Sequence, residues 1–226
     1  MKQINKYINE RLHINKDTVN YYNYHPASKN ELKELVKKLI KERGDDADLN
    51  DIDTSKITDM NSIFDGSNFN GDISTWNVNN VTDMTGMFRK SKFNGDISGW
   101  DVSNVKYMGH MFSSSSFTGE NGDLSDWDVS NVEDMRYMFY RSSFNGDISN
   151  WNVSNVKYMK FMFGYSVFNG DISNWTVSNV EEINYMFYKS SFNGDISKWD
   201  VSNVKNMYLV FDNSPLQKNP PKWYKK

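Results

Sequence analysis

Tryptophan stands at positions 76, 100, 127, 151, 175, 199 and 223, and every interval is 24 residues except the 27 between Trp100 and Trp127. A fixed period in this range is the mark of a stacked-repeat architecture, in which one unit cannot bury its apolar face alone and neighbours complete the core. The three extra residues lie within Phe117-Thr118-Gly119-Glu120-Asn121-Gly122-Asp123, where other copies read Phe-Asn-Gly-Asp. The insertion is therefore expected in a turn.

Two periodicities share the unit that begins at Trp151. Val156, Met159, Met162 and Phe163 are spaced as one face of a short helix, with Ser154 and Asn155 offering N-cap oxygens ahead of it. Asn169-Gly170 reads as a tight turn, and Asp171-Ile172-Ser173 as one short strand with Ile172 pointing inward. The pattern predicts an α/β solenoid: a leucine-rich-repeat-like, right-handed stack of short parallel strands and short helices with a helical N-terminal cap. Helices need more room per rung than strands, so such a stack should curve into an arc.

The motif Trp-Asn/Asp-Val-Ser-Asn-Val-x-x-Met-x-x-Met-Phe, followed by Ser-x-Phe-Asn-Gly-Asp-Ile-Ser, resembles the repeat of the BspA-like leucine-rich-repeat surface proteins, in their mycoplasma-lipoprotein-type branch. The resemblance spans about residues 52–223, three quarters of the chain. It implies a bacterial surface or adhesion protein, or a phage relative, that recognises a protein or cell-surface ligand.

Composition narrows the function further. The net charge of -3 offers no basic field to release counterions from a nucleic-acid backbone, so nucleic acid is not an expected partner. Cysteine is absent, which removes disulfides, thiolate metal sites, thiol nucleophiles and a lipid-anchor residue. No apolar run reaches the length of a secretory signal or a membrane span, so a soluble chain without membrane insertion is expected. His13, His25 and His110 stand at neither metal-ligand nor triad spacing. Neither a catalytic centre nor a cofactor or metal site is expected.

Residues 1–51 read as an N-terminal segment and helical cap, 52–223 as seven 24-residue repeats and 224–226 as a tail. The cap helix should begin near residue 29, bury a stripe of Leu32, Leu35, Val36, Leu39 and Ile40, and end at Gly44. Tyr7, Tyr21, Tyr22 and Tyr24 precede it, and could join the cap or form a separate arm.

Residues that recur in every unit are expected to be structural. The column headed by Met60 and Met84 has an isoleucine member, Ile183, and reads as core; the tryptophans read as stacked core sooner than sugar platforms. Asp72, Asp96, Asp123, Asp147, Asp171 and Asp195 could share calcium, but one acid per unit better suits acceptance of turn N–H groups. Asn80, Asn104, Asn131, Asn155, Asn179 and Asn203 suit a ladder onto neighbouring backbone.

Function is expected where the units differ. Tyr137, Tyr140, Phe161, Tyr185 and Tyr188, with Arg136 and Arg141 beside them, occupy outward positions that hold Gly86, Arg89, His110 and Ser113 in earlier units. Aromatic anchors with a basic rim are the composition of a partner surface, although such rings could also pack between adjacent units. The competing surface is the serine column Ser74, Ser98, Ser125, Ser149, Ser173 and Ser197. A non-catalytic binding protein is the preferred expectation, and a structural protein acting through self-association the alternative.

Overall fold

The computed structural model describes residues 22–225. Its α-helix, α1, spans Lys29–Arg43. Ser28 caps it by accepting the Glu31 N–H at 3.3 Å, and Gly44, at φ 98°, closes it by donating to the Ile40 carbonyl at 2.8 Å. Leu32, Val36 and Leu39 are fully buried, while Leu35 and Ile40 pack partly exposed beside them. Tyr24 pairs with Ile52 as a parallel bridge, and the Arg43 guanidinium sits 5.7 Å over its ring while forking onto Asp51. Tyr24 thus belongs to the cap; Tyr7 and Tyr21 lie outside the described residues.

Beyond α1 each 24-residue unit is a chain of β-turns. In the unit from Trp151, the N–H of Val156 donates to Val153, Met162 to Met159, Gly164 to Phe161 and Ser166 to Phe163, at 3.0–3.2 Å. The same turns close Ile148 to Trp151 and Ile172 to Trp175. Phe161 and Tyr165, each the third residue of its turn, adopt φ of 54° and 56°, the left-handed value that a type II turn demands there.

The N–H groups these turns leave free bind the next unit. Met159, Phe161, Phe163 and Tyr165 donate to the carbonyls of Glu182, Asn184, Met186 and Tyr188 at 2.8–3.1 Å. Single-residue parallel bridges mark the register, running Asp59, Asp83, Tyr107, Asp134, Tyr158, Glu182 and Asn206. The ladder starts before residue 52: the Asp72 N–H donates to the Ala47 carbonyl, the Asp72 carbonyl accepts from the Leu49 N–H, and Asp48 bridges Asp72.

The expected α/β solenoid of leucine-rich-repeat type is therefore corrected. Among the described residues α1 is the one α-helix, a 3-10 turn spans Pro215–Gln217, and no strand extends beyond an isolated bridge. The predicted helix at Val156–Phe163 fails because a β-turn brings residues i and i+3 together just as a helical turn does, so apolar spacing cannot separate them. An α-helix would also turn the N–H groups beyond its first four onto its own i−4 carbonyls, so Phe161 and Phe163 could not donate to the next unit as they do. The predicted strand at Asp171-Ile172-Ser173 is a turn, with the Ile172 carbonyl accepting from Trp175. Without a wide helix opposite a narrow strand, the reason to expect curvature falls too.

Side chains complete what the backbone leaves unpaired. Every tryptophan sends its indole N–H to a carbonyl of the preceding unit: Trp151 to Leu124 at 2.8 Å, Trp175 to Ile148 at 3.1 Å, Trp199 to Ile172 at 3.2 Å. The rings then stack along the molecule, Trp151 on Trp175 at 6.4 Å and Trp175 on Trp199 at 6.5 Å. Phe139, Phe163 and Phe187 form a second buried column at 5.7–5.8 Å, and Phe144, Phe168 and Phe192 a third at 6.2–6.3 Å. The methionines from Met60 to Met159 and Ile183 are buried as expected, with Met207 partly exposed in the last unit.

The Asn-Gly pair departs from its expected role. Gly170 does not take a positive φ. Instead a Cβ there would sit 2.9 Å from the Phe168 ring, so the glycine lets the backbone cross that ring. The insertion lies in a surface bend, as expected, with Gly119 at φ 88°.

Candidate functional site

Two turn positions take a left-handed backbone in every unit, and what fills the first changes along the chain. It holds Ser62, Gly86 and His110 in the first three units, then Tyr137, Phe161 and Tyr185, then Leu209, with φ between 51° and 62°. A residue with a side chain pays about 1–2 kcal/mol to sit there, and glycine is its natural occupant. Three consecutive aromatics therefore occupy a position where the backbone opposes them.

Their rings lie outward and partly exposed, and they touch one another. His110 stacks on Tyr137 at 4.5 Å, Tyr137 on Phe161 at 5.1 Å and Phe161 on Tyr185 at 4.4 Å. Tyr140, Tyr165 and Tyr188 form a second row set edge-on, with Tyr165 5.6 Å from Tyr140 and 5.4 Å from Tyr188. Both forecasts for these side chains meet here, since the rings pack between units and still present edges and hydroxyls to solvent. The spacing of the units points only to the neighbourhood of Tyr165, which sits one place out of step with Tyr140 and Tyr188.

Gly164 explains that offset. It occupies the Tyr140 and Tyr188 position in the middle unit, and a Cβ there would meet Phe161 Cδ1 at 2.7 Å and Tyr140 Cδ2 at 3.3 Å. The space belongs to the Phe161 ring, and Tyr165 supplies the missing member of the second row.

Cations line the face. Arg136 forks onto Asp134 at 2.6–3.0 Å and lies 5.1 Å over the Tyr158 ring. Its guanidinium pKa is raised, first by the hydrogen bond to Asp134. Arg141 lies 5.3 Å over Tyr140 and 4.9 Å over Tyr165, and Lys189 lies 5.4 Å over both Tyr165 and Tyr188. His110, at the end of the stacked column, is pushed below its ordinary pKa first by burial and then by Arg89. Of the seven residues singled out in the sequence, Tyr137, Tyr140, Phe161, Tyr185, Tyr188 and Arg141 are joined by ring contacts into one face, whereas the Arg136 side chain turns to Asp134 and Tyr158. Beneath it, the buried side-chain oxygen of Asn184 has no hydrogen-bond partner among the described residues.

The competing columns are committed to structure. Asp147, Asp171 and Asp195 accept the N–H of Ser149, Ser173 and Ser197 at 2.9 Å, and these bonds hold their carboxyls below the usual range. The acceptance expected from the Asn-Gly turn thus comes from the serine two residues on. The asparagine ladder is present but lies at the surface: Asn155 donates to the Ser130 carbonyl and Asn179 to Ser154, both at 2.7 Å. No group of three or more histidine and acidic residues among the described residues could hold a metal ion. A cavity of about 440 Å³ opens against Met207, Tyr208, Leu209, Phe211 and Tyr224 in the last unit, next to the end of the aromatic face, where Tyr208 meets Tyr185 edge-on at 5.5 Å.

These observations define a repeat protein, built of 24-residue turn units stacked behind a helical cap, with one face of the middle units set apart by its aromatics. The family model "Mycoplasma protein of unknown function, DUF285" matches residues 30–121 and 114–223, and the chain belongs to that family. Comparison with curated proteins and with solved structures finds no match. No helix among the described residues is long and apolar enough to cross a membrane.

Proposed function

We propose that this chain is a non-catalytic binding protein that engages a protein or surface partner through the outward aromatic face of its fourth to sixth units. The observation that carries this reading is the run Tyr137, Phe161 and Tyr185 at φ of 54–60°. Ser62, His110 and Leu209 meet the same φ in other units, so what sets the middle units apart is large aromatic rings at that position. Exposed tyrosines rimmed by arginine and lysine are the composition of binding hot spots. The resemblance to BspA-like surface proteins of bacteria and their phages agrees with recognition at a cell surface.

Self-association is the competing reading. Stacking of units end to end would need the first unit open, and α1 closes it with Leu32, Val36 and Leu39 buried in the core. Light scattering over a range of concentrations separates the two readings. A constant monomer mass, together with a partner retained by the intact chain and released by Tyr137→Ser with Tyr185→Ser, is the expected result. Mass growing without limit as concentration rises would replace recognition by assembly.

A further inference from the structure

Of the arginines at 43, 89, 136 and 141, three fork onto a carboxylate: Arg43 onto Asp51, Arg89 onto Asp65 and Arg136 onto Asp134. Arg141 has no carboxylate partner among the described residues and is held by ring faces alone, as is Lys189 two units further on. Tyr165 lies between them, 4.9 Å from the guanidinium and 5.4 Å from the ammonium. The three outer turns at 137–141, 161–165 and 185–189 contain no acidic residue, in a chain whose net charge is -3. Two cations without an ion-pair partner among the described residues thus stand on the face that the proposed function already assigns to recognition.

The aromatic geometry selects the same charge. Tyr137, Phe161 and Tyr185 cover one another's faces, and Tyr165 lies against cations. Along this stack the ring faces are covered and the edges are left, and an aromatic edge carries the positive end of the ring quadrupole. A sugar stacking on this surface would need an open ring face; a carboxylate needs edges, hydroxyls and a guanidinium fork.

We infer that this face binds an acidic peptide segment of a protein partner, with Arg141 and Lys189 taking two of its carboxylates about 10 Å apart, two spacings of paired backbone. The inference rests on the proposed function and names its ligand chemistry. Both cations are exposed, so replacing them leaves the core untouched.

The test is fluorescence anisotropy of the full chain with a labelled peptide, Phe-Glu-Glu-Phe-Glu-Glu-Phe, against its lysine-for-glutamate counterpart and a sulfated heparin fragment. The acidic peptide is expected to bind, weaken as salt rises, and lose roughly tenfold or more of its affinity in Arg141→Gln with Lys189→Gln. Tyr165→Phe keeps the ring and should keep binding, whereas Tyr165→Ala frees both cations and should weaken it. Equal binding of the two peptides, indifference to the double substitution, or binding of the heparin fragment alone would overturn the inference. If the native partner needs Tyr137 and Tyr185 but not Arg141 and Lys189, the proposed function stands and this deeper reading fails.

Discussion

The indole N–H of Trp151 donates to the Leu124 carbonyl of the preceding unit at 2.8 Å, and that carbonyl also closes its own turn by accepting the Trp127 N–H at 3.1 Å. The tryptophan is both a core side chain and a hydrogen bond between units. Trp151→Phe keeps the ring stack and leaves the carbonyl one partner, so it should cost about 1–2 kcal/mol. Trp151→Ala also opens a cavity and should cost about 3–5 kcal/mol. Urea unfolding of the two variants measures the gap, and equal losses would show that the bond contributes nothing.

Gly164→Ala places a Cβ against a Phe161 ring that cannot retreat, because Tyr137 and Tyr185 hold it from both sides. A loss of about 1–3 kcal/mol is expected. Adding Phe161→Ala removes the obstacle, so the double variant should be more stable than the two single losses summed. Strict additivity in thermal or urea unfolding would contradict this packing.

At Tyr185, φ of 60° makes a β-branched residue worse than a small one. Tyr185→Val should therefore be less stable than Tyr185→Ala by about 1 kcal/mol, although valine buries more apolar surface. The reverse order would place the turn outside the left-handed region.

His110 supplies a pH signature. Burial, then Arg89, holds its pKa below the ordinary 6.5, so between those two values the unfolded chain binds more protons and stability rises with pH. The stability it protects is complete above about pH 6.5 and is lost as pH falls toward the folded value. His110→Gln should flatten the dependence in this window and leave the acid limb below it, where Asp147 and Asp171 lose the turn bonds that keep them ionised. An unchanged slope near pH 6 in the variant would remove His110 from the account.

Much of this was legible in the sequence. The period, the cap from Ser28 to Gly44, the buried Met, Phe and Trp columns and the aromatic face all follow from residue spacing. The secondary structure did not, because Met159 and Met162 are as close across a β-turn as across a helical turn. Nor does spacing report direction: whether the Phe161 N–H points into its own unit or toward Asn184 depends on a positive φ that phenylalanine gives no reason to expect. Spacing reaches only the neighbourhood of Tyr165, since Gly164 moves the second aromatic row by one residue and a column-by-column reading does not follow the shift.

Recognition through the aromatic face is tested by comparing partner affinity in Tyr137→Ala with Tyr185→Ala against Ser149→Ala with Ser173→Ala, on the competing serine column. A loss of roughly tenfold or more is expected for the tyrosine pair, from about 1–2 kcal/mol per anchor, and an affinity near wild type for the serine pair. Binding unchanged by the tyrosine pair and abolished by the serine pair would contradict it.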